Sequence, residues 1–206
     1  MSTLLVIAKE PVPGRVKTRL TPPFSPEEAA RLARAALADT LAAVAATPAD
    51  RRVLVLDGAP GPWLPGGVEV LPQAAGGLDE RLADAFSRVA GPALLIGMDT
   101  PQVTPRLLAR GLALARDGAA LGPAADGGFW ALGLAAPDPS LVRGVPMSTD
   151  ETGAAQRRRL VRAGLAVGTL PTLRDVDTAA DARAVAATAP TTHFAHALAE
   201  SPSVRA

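Results

Sequence analysis

The order in which short apolar runs and longer helical segments alternate is what most constrains this chain. β-type runs stand at Thr3 to Ala8, Arg52 to Asp57, Val68 to Leu71, Ala93 to Gly97, Ala119 to Gly122, Phe129 to Leu134 and Leu165 to Leu170. Helical segments fall between many of them, over Ser25 to Ala46, Leu78 to Val89, Thr104 to Arg116, Glu151 to Ala163 and Thr178 to Ala187. The first helix has its start written out, with Ser25 as N-cap, Pro26 at the first helical position and Glu28 closing a capping box. Thr104-Pro105 repeats that signal. Strands alternating with helices predict an α/β fold, a mainly parallel mixed sheet covered by helices on both faces. At 206 residues the chain suits one domain, taken here as residues 1–190, and the Pro/Gly-rich stretch Gly58 to Gly67 reads as a long loop. The tail, residues 191–206, has weak periodicity and is expected to fray.

Composition excludes several classes of function. There is no cysteine, hence no disulfide, thiolate metal site or cysteine nucleophile. With 21 Lys+Arg against 20 Asp+Glu, no overall field draws the protein to nucleic acid or membrane, and any basic patch is local. Aromatic residues make up 3% and tyrosine is absent, so the stacking platforms of single-strand readers are missing too. The first apolar run is too short for a signal peptide's core and no run approaches a membrane span, so a cytoplasmic location is expected.

Four segments carry chemistry. After the first β run comes Lys9-Glu10-Pro11-Val12-Pro13-Gly14-Arg15-Val16-Lys17-Thr18-Arg19-Leu20. Its cations would sit on a loop at a strand's carboxyl end, where open α/β sheets bind ligands, and would suit polyphosphate; the alternative is a solvated basic loop. Val16 precedes Lys17-Thr18, so there is no Walker A frame. In Gly97-Met98-Asp99-Thr100-Pro101, Asp99 ends a buried strand, placed either to hold Mg²⁺ together with phosphate oxygens or merely to open a turn. Asp126-Gly127-Gly128-Phe129-Trp130 is a backbone that a ligand can approach closely or a plain hairpin turn. In Asp175-Val176-Asp177-Thr178, extended backbone would put both acids on one side, to join Asp99 at a metal or to cap a helix. His193 and His196 lie in the tail without further ligands, and Arg157, Arg158, Arg159 and Arg162 read as an exposed helix face.

The combined order of these motifs resembles a GT-A nucleotide-diphospho-sugar transferase. More narrowly, it resembles the bacterial glycosyltransferase-like family called domain of unknown function 2064, related to the 2-phospholactate guanylyltransferases. The likeness runs from Thr3 to Val185 and rests on Lys9-x-Pro-x-Pro-Gly-x-Val-Lys-Thr-Arg-Leu, Gly97-x-Asp-x-Pro, Asp126-Gly-Gly-x-x-x-Leu-Gly-Leu and Asp175-Val-Asp-Thr. The resemblance implies that Lys9, Pro13, Gly14, Arg15, Lys17, Thr18 and Arg19 meet the nucleotide, with Lys17, Arg19 and Asp99 carrying catalysis. It implies that Asp99 and Asp177 hold Mg²⁺ or Mn²⁺. Gln73, Leu78, Asp79 and Arg81 would line the nucleotide or acceptor cleft, and Asp126, Gly127 and Gly128 would touch substrate. Asp99 is followed by Thr-Pro where many glycosyltransferases carry a second acid, and the guanylyltransferases' Gly-Thr-Asn segment is absent. The implied partners are a nucleotide or nucleotide sugar and a small acceptor. Glycosyl transfer is the leading expectation; nucleotidyl transfer to a phosphorylated small molecule and nucleotide binding without catalysis are the alternatives.

Overall fold

Alternation of side chains along each strand builds two cores from one sheet. In β1 (Thr3–Lys9), Leu4 and Val6 face one way and Leu5 the other, the period of two that extended backbone imposes. The computed structural model describes residues 1–205. The remaining strands are β2 (Arg51–Asp57), β3 (Glu69–Pro72), β4 (Ala93–Gly97), β5 (Ala119–Pro123), β6 (Phe129–Leu134) and β7 (Val167–Thr169). Their spatial order is β3-β2-β1-β4-β6-β5-β7. Strands β1 to β4 pair in parallel, as does β7 with β5, and only β6 runs against its neighbours. A connection as tight as residues 124–128 can return the chain only as an antiparallel neighbour.

Helices cover both faces. Leu37 and Leu41 of α1 (Pro26–Ala45) and Leu108 and Leu112 of α3 (Pro105–Arg116) pack with Leu4, Val6 and Ile96. On the other face, Leu82 and Phe86 of α2 (Leu78–Ser87) and Leu160 of α4 (Thr152–Arg162) pack with Leu5, Val53 and Leu95. The start signals act as expected: Ser25 and Glu28 form the capping box of α1, and Thr104 accepts from the N–H of Leu107. The third expected strand falls at Glu69–Pro72, one residue late, and the seventh is trimmed to Val167–Thr169, an edge strand with only β5 to pair with.

The tail departs from the expectation of fraying. After α5 (Ala179–Thr188) come α6 (His193–Ala199) and α7 (Pro202–Arg205), and Phe194 and Leu198 are buried against Phe24, Leu32 and Val185 on the outer side of α1. The anchor is Asp39 of α1, whose carboxylate accepts the N–H groups of His193 and Phe194 at 2.9 and 2.8 Å, with the His193 ring nitrogen at 2.7 Å. The two histidines therefore belong to a packed helix. Local periodicity was weak because what holds the tail lies far away in sequence.

Chain direction then fixes where a ligand can lie. From β1 the chain proceeds to β2 and β3 on one side, while β4 returns on the other, which opens a crevice beyond the carboxyl ends of β1 and β4. No helix among the described residues is long and apolar enough to cross a membrane.

Candidate functional site

A cleft of about 770 Å³ occupies that crevice. Its floor is the ends of β1 and β4, and it is walled by the loop after β1, the start of α2, the turn before β6 and the segment Met147–Asp150. The acid-bearing segments are drawn together by hydrogen bonds to main-chain carbonyls. Val176 N–H donates to the carbonyl of Asp99 at 2.9 Å, Gln102 Nε2 to that of Arg174 at 2.7 Å, and Ala125 N–H to that of Leu173 at 2.8 Å. Asp99, Asp126, Asp175 and Asp177 consequently line one cleft although they come from three separate stretches of chain.

The ammonium of Lys17 stands among these acids. Its Nζ is 2.6 Å from Asp99 Oδ1 and 3.4 Å from Asp177 Oδ1, and it donates to the Val176 carbonyl. The Lys17 side chain is only 7% exposed, so this is no solvated loop cation. Its backbone is left-handed (φ 51°), set between the buried Val16 and Leu20 at the head of the short 3₁₀ turn Thr18–Leu20. Burial alone would lower the Lys17 pKa, but Asp99 first, then Asp177 and Asp175, outweigh it and hold the pKa above its ordinary value. Asp175 moves the other way: burial first, then the Asp99 and Asp126 carboxylates, push it up to about 7. Arg19 is 75% exposed and approaches Asp177 Oδ2 at 3.5 Å.

The remaining expected residues divide by position. Lys9, Arg15, Thr18 and Arg19 line the cleft, as do Gln73, Leu78, Arg81, Asp126 and Gly128. The Gln73 amide nitrogen is committed to the carbonyls of Ala8 and Val55, and its oxygen is 3.4 Å from Arg81. That guanidinium also bonds Gly76 O and faces Asp57 at 3.7 Å. Pro13 and Gly14 sit on the exposed outer bend of the loop, away from the cleft. Asp79 turns away as well, accepting the N–H of Gly144 at 2.8 Å and so tying α2 to its neighbouring loop. Gly127 (φ 90°) makes room for protein and not for the cleft: a Cβ there would sit 2.0 Å from the carbonyl oxygen of Asp150, and the Gly127 carbonyl accepts Gly153 N–H at 2.8 Å. Trp130 is core, 3% exposed, with its indole N–H on Pro171 O. The arginines of α4 lie off the cleft; Arg159 bonds the carbonyls of Ser140 and Arg143.

Sequence reasoning missed the wall formed by Ser148, Thr149 and Asp150. Its one local signal was a group of cap-type residues ahead of α4. Two carboxylates, Asp99 and Asp177, converge on a single point, a donor set suited to a divalent cation that also takes phosphate oxygens.

Comparison with known proteins supports the fold. A protein of Desulfovibrio desulfuricans G20, provisionally named a nucleotide-diphospho-sugar transferase, superposes with a TM-score of 0.83 at 27% identity, covering 99% of this chain and 92% of its own. The 2-C-methyl-D-erythritol 4-phosphate cytidylyltransferase of Thermus thermophilus shares the fold, with a TM-score of 0.56 at 19% identity over 93% of this chain and 100% of that one. So does Rv0371c of Mycobacterium tuberculosis H37Rv in complex with manganese, at 0.54 and 22% over 89% and 97% of the two chains. No curated protein sequence matches. Residues 29–149 match the family described as uncharacterized protein conserved in bacteria (DUF2064), and the chain belongs to that family, on the fold of the nucleotide-diphospho-sugar transferases.

Proposed function

We propose that this transferase moves a glycosyl group from a nucleotide sugar to a small acceptor and uses Mg²⁺ or Mn²⁺ to do so. The observation that carries the reading is the gathering of cations and carboxylates in one cleft at the carboxyl ends of β1 and β4. Lys9 at the end of β1 and Arg15, Lys17 and Arg19 of the loop after it line the cleft together with the acids Asp99, Asp126, Asp150, Asp175 and Asp177, and Lys17 pairs with Asp99 and Asp177 while Arg19 approaches Asp177. Phosphates suit the cations, and an uncharged, hydroxylated acceptor suits the acids that the cations leave free.

In this reading Arg15 and Arg19 present planar donor forks, and Lys9 and Lys17 compact charges, to the phosphate oxygens. As the bond to the leaving nucleoside diphosphate breaks, negative charge gathers on it, and fixed cations in a partly dry cleft stabilise that charge more than they stabilise the ground state. A divalent ion held by Asp99 and Asp177 would add to that stabilisation. The manganese complex of the mycobacterial relative supports such an ion. The hydroxyls of Ser148 and Thr149 and the carboxylates of Asp126 and Asp150 offer hydrogen bonds that orient an acceptor hydroxyl.

The second reading is nucleotidyl transfer. It is favoured by the number of cations after β1, enough for a triphosphate, and by the likeness in fold to a cytidylyltransferase. One pair of assays separates the two. Glycosyl transfer releases nucleoside diphosphate from a nucleotide sugar and ignores pyrophosphate. Nucleotidyl transfer exchanges labelled pyrophosphate into a triphosphate when the acceptor is present. The donor is found first by thermal shift, since a ligand at about 100 times its Kd raises stability by about 2.7 kcal/mol.

A further inference from the structure

Lys17 presents a conflict that the transferase reading alone does not resolve. Its ammonium occupies the point on which Asp99 and Asp177 converge, at 2.6 and 3.4 Å, and that is where a bridging cation would be held. A divalent ion and an ammonium cannot share the point, because unit charges a few ångströms apart repel strongly wherever water is scarce.

Resting on the transferase reading, we infer that Lys17 is a resident counter-ion that closes the Asp99–Asp177 pair to a lone metal ion and yields only to a divalent ion arriving together with phosphate. The ammonium is held by two carboxylates and the Val176 carbonyl, on a side chain that is almost wholly buried. A metal ion arriving alone must expel it, and the expelled charge finds no partner in place of those it loses. Leaving an ammonium buried without a partner is expensive. Phosphate arriving alone meets a lysine already neutralised, with Asp99, Asp175 and Asp177 close by to repel it. When both arrive, the metal takes the carboxylates and the phosphate oxygens take Lys17, so every charge is paired again. Each ligand therefore strengthens binding of the other, and by linkage the two effects are equal. The species that the site accepts is a metal–polyphosphate complex.

The backbone allows that exchange without unfolding. Val16 and Leu20 are buried on either side of Lys17 and fix the loop, so only the side chain needs to swing. Arg19 provides an internal comparison. It carries the same charge and touches the same Asp177, at 3.5 Å, but it is exposed and does not occupy the shared point.

The test is calorimetric titration with Mn²⁺ alone, near neutral pH, of the parent, Lys17→Met and Arg19→Met. Lys17→Met should bind Mn²⁺ at least about tenfold more tightly than the parent, and Arg19→Met should gain clearly less. An unchanged Mn²⁺ affinity in Lys17→Met, or an equal gain in both variants, overturns the inference. Should Lys17→Met not fold, the parent decides: its melting temperature is measured with Mn²⁺, with inorganic pyrophosphate, and with both. A joint shift well beyond the sum of the two separate shifts upholds the coupling, and a shift with Mn²⁺ alone as large as the joint one defeats it. None of these readouts uses a nucleotide sugar or turnover, so a failure of the transferase reading would show separately, as absent transfer.

Discussion

Val176 donates its main-chain N–H to the carbonyl of Asp99 at 2.9 Å, and that one bond joins the strand-end acid of β4 to the acids on either side of Val176. It explains how residues so far apart in sequence face the same cation. Asp99→Asn and Asp177→Asn leave this main-chain link intact while removing a charge each. Both variants should keep the fold and lose turnover by about a hundredfold or more at limiting metal, the scale typical of removing one charge-stabilising group. Metal titration of initial rates is the measurement, and parent-like rates in Asp177→Asn would leave that residue only its place before the Thr178 cap of α5.

Lys17 and Arg19 should separate cleanly in a stability experiment. Lys17→Ala leaves Asp99, Asp175 and Asp177 without the ammonium between them, and about 2 kcal/mol of destabilisation is expected, since these acids are only partly screened by water. In a domain of this size that lowers Tm by about 4–8 °C. Arg19→Ala, on an exposed side chain, should change Tm by less than about 2 °C, within the roughly 0.5 kcal/mol scatter of surface substitutions, yet weaken nucleotide binding.

Asp175 makes the metal-free protein sensitive to pH. Its carboxyl is raised from 3.8 to about 7 on folding, so between those values the folded state binds the proton more readily than the unfolded chain does. Stability from this group is therefore complete below about pH 4 and is lost as pH rises through about 7. Asp175→Asn does not titrate. Melting curves recorded with a chelator present should show the variant matching the parent near about pH 4 and exceeding it increasingly up to about pH 8. The gap is bounded by about 4 kcal/mol and smaller to the extent that water reaches the carboxylate. A gap that is constant with pH would place the raised pKa elsewhere.

What could be read from the sequence follows from range of interaction. The strands and helix starts were legible because periodicity and caps such as Ser25 with Glu28 act within a few residues. Asp99 was legible for the same reason, as a carboxylate directly after a buried strand. The inward turn of Lys17 was not, since nothing near it distinguishes a solvated lysine from one held by acids about 80 and 160 residues later. Gly127 also misled: its positive φ serves the close approach of Asp150, a contact between segments that no local pattern records.

Asp79 gives a direct check on that limit. The family resemblance set it among substrate contacts, but its carboxylate accepts the N–H of Gly144. Asp79→Ala should lower Tm by about 3–12 °C, the value of one hydrogen bond to a charged acceptor at about 1.5–3 kcal/mol, and leave KM for donor and acceptor unchanged. A rise in KM without loss of stability would return Asp79 to the substrate.

The tail supplies the sharpest contrast between the sequence expectation and the structure. If residues 191–206 frayed, truncating a side chain there would cost nothing. Phe194 is instead 0% exposed, packed with Phe24, Leu32 and Val185 and locked by the bonds from α6 to Asp39. Phe194→Ala should cost about 3–5 kcal/mol, the range for emptying a buried aromatic site, and lower Tm by about 6–20 °C. Asp39→Asn should cost less, because the amide oxygen can still accept one of the two N–H groups. The cleft is built by other elements, so turnover per folded molecule at low temperature should be unaffected in both. A parent-like melting curve for Phe194→Ala would mean that α6 contributes nothing to the fold.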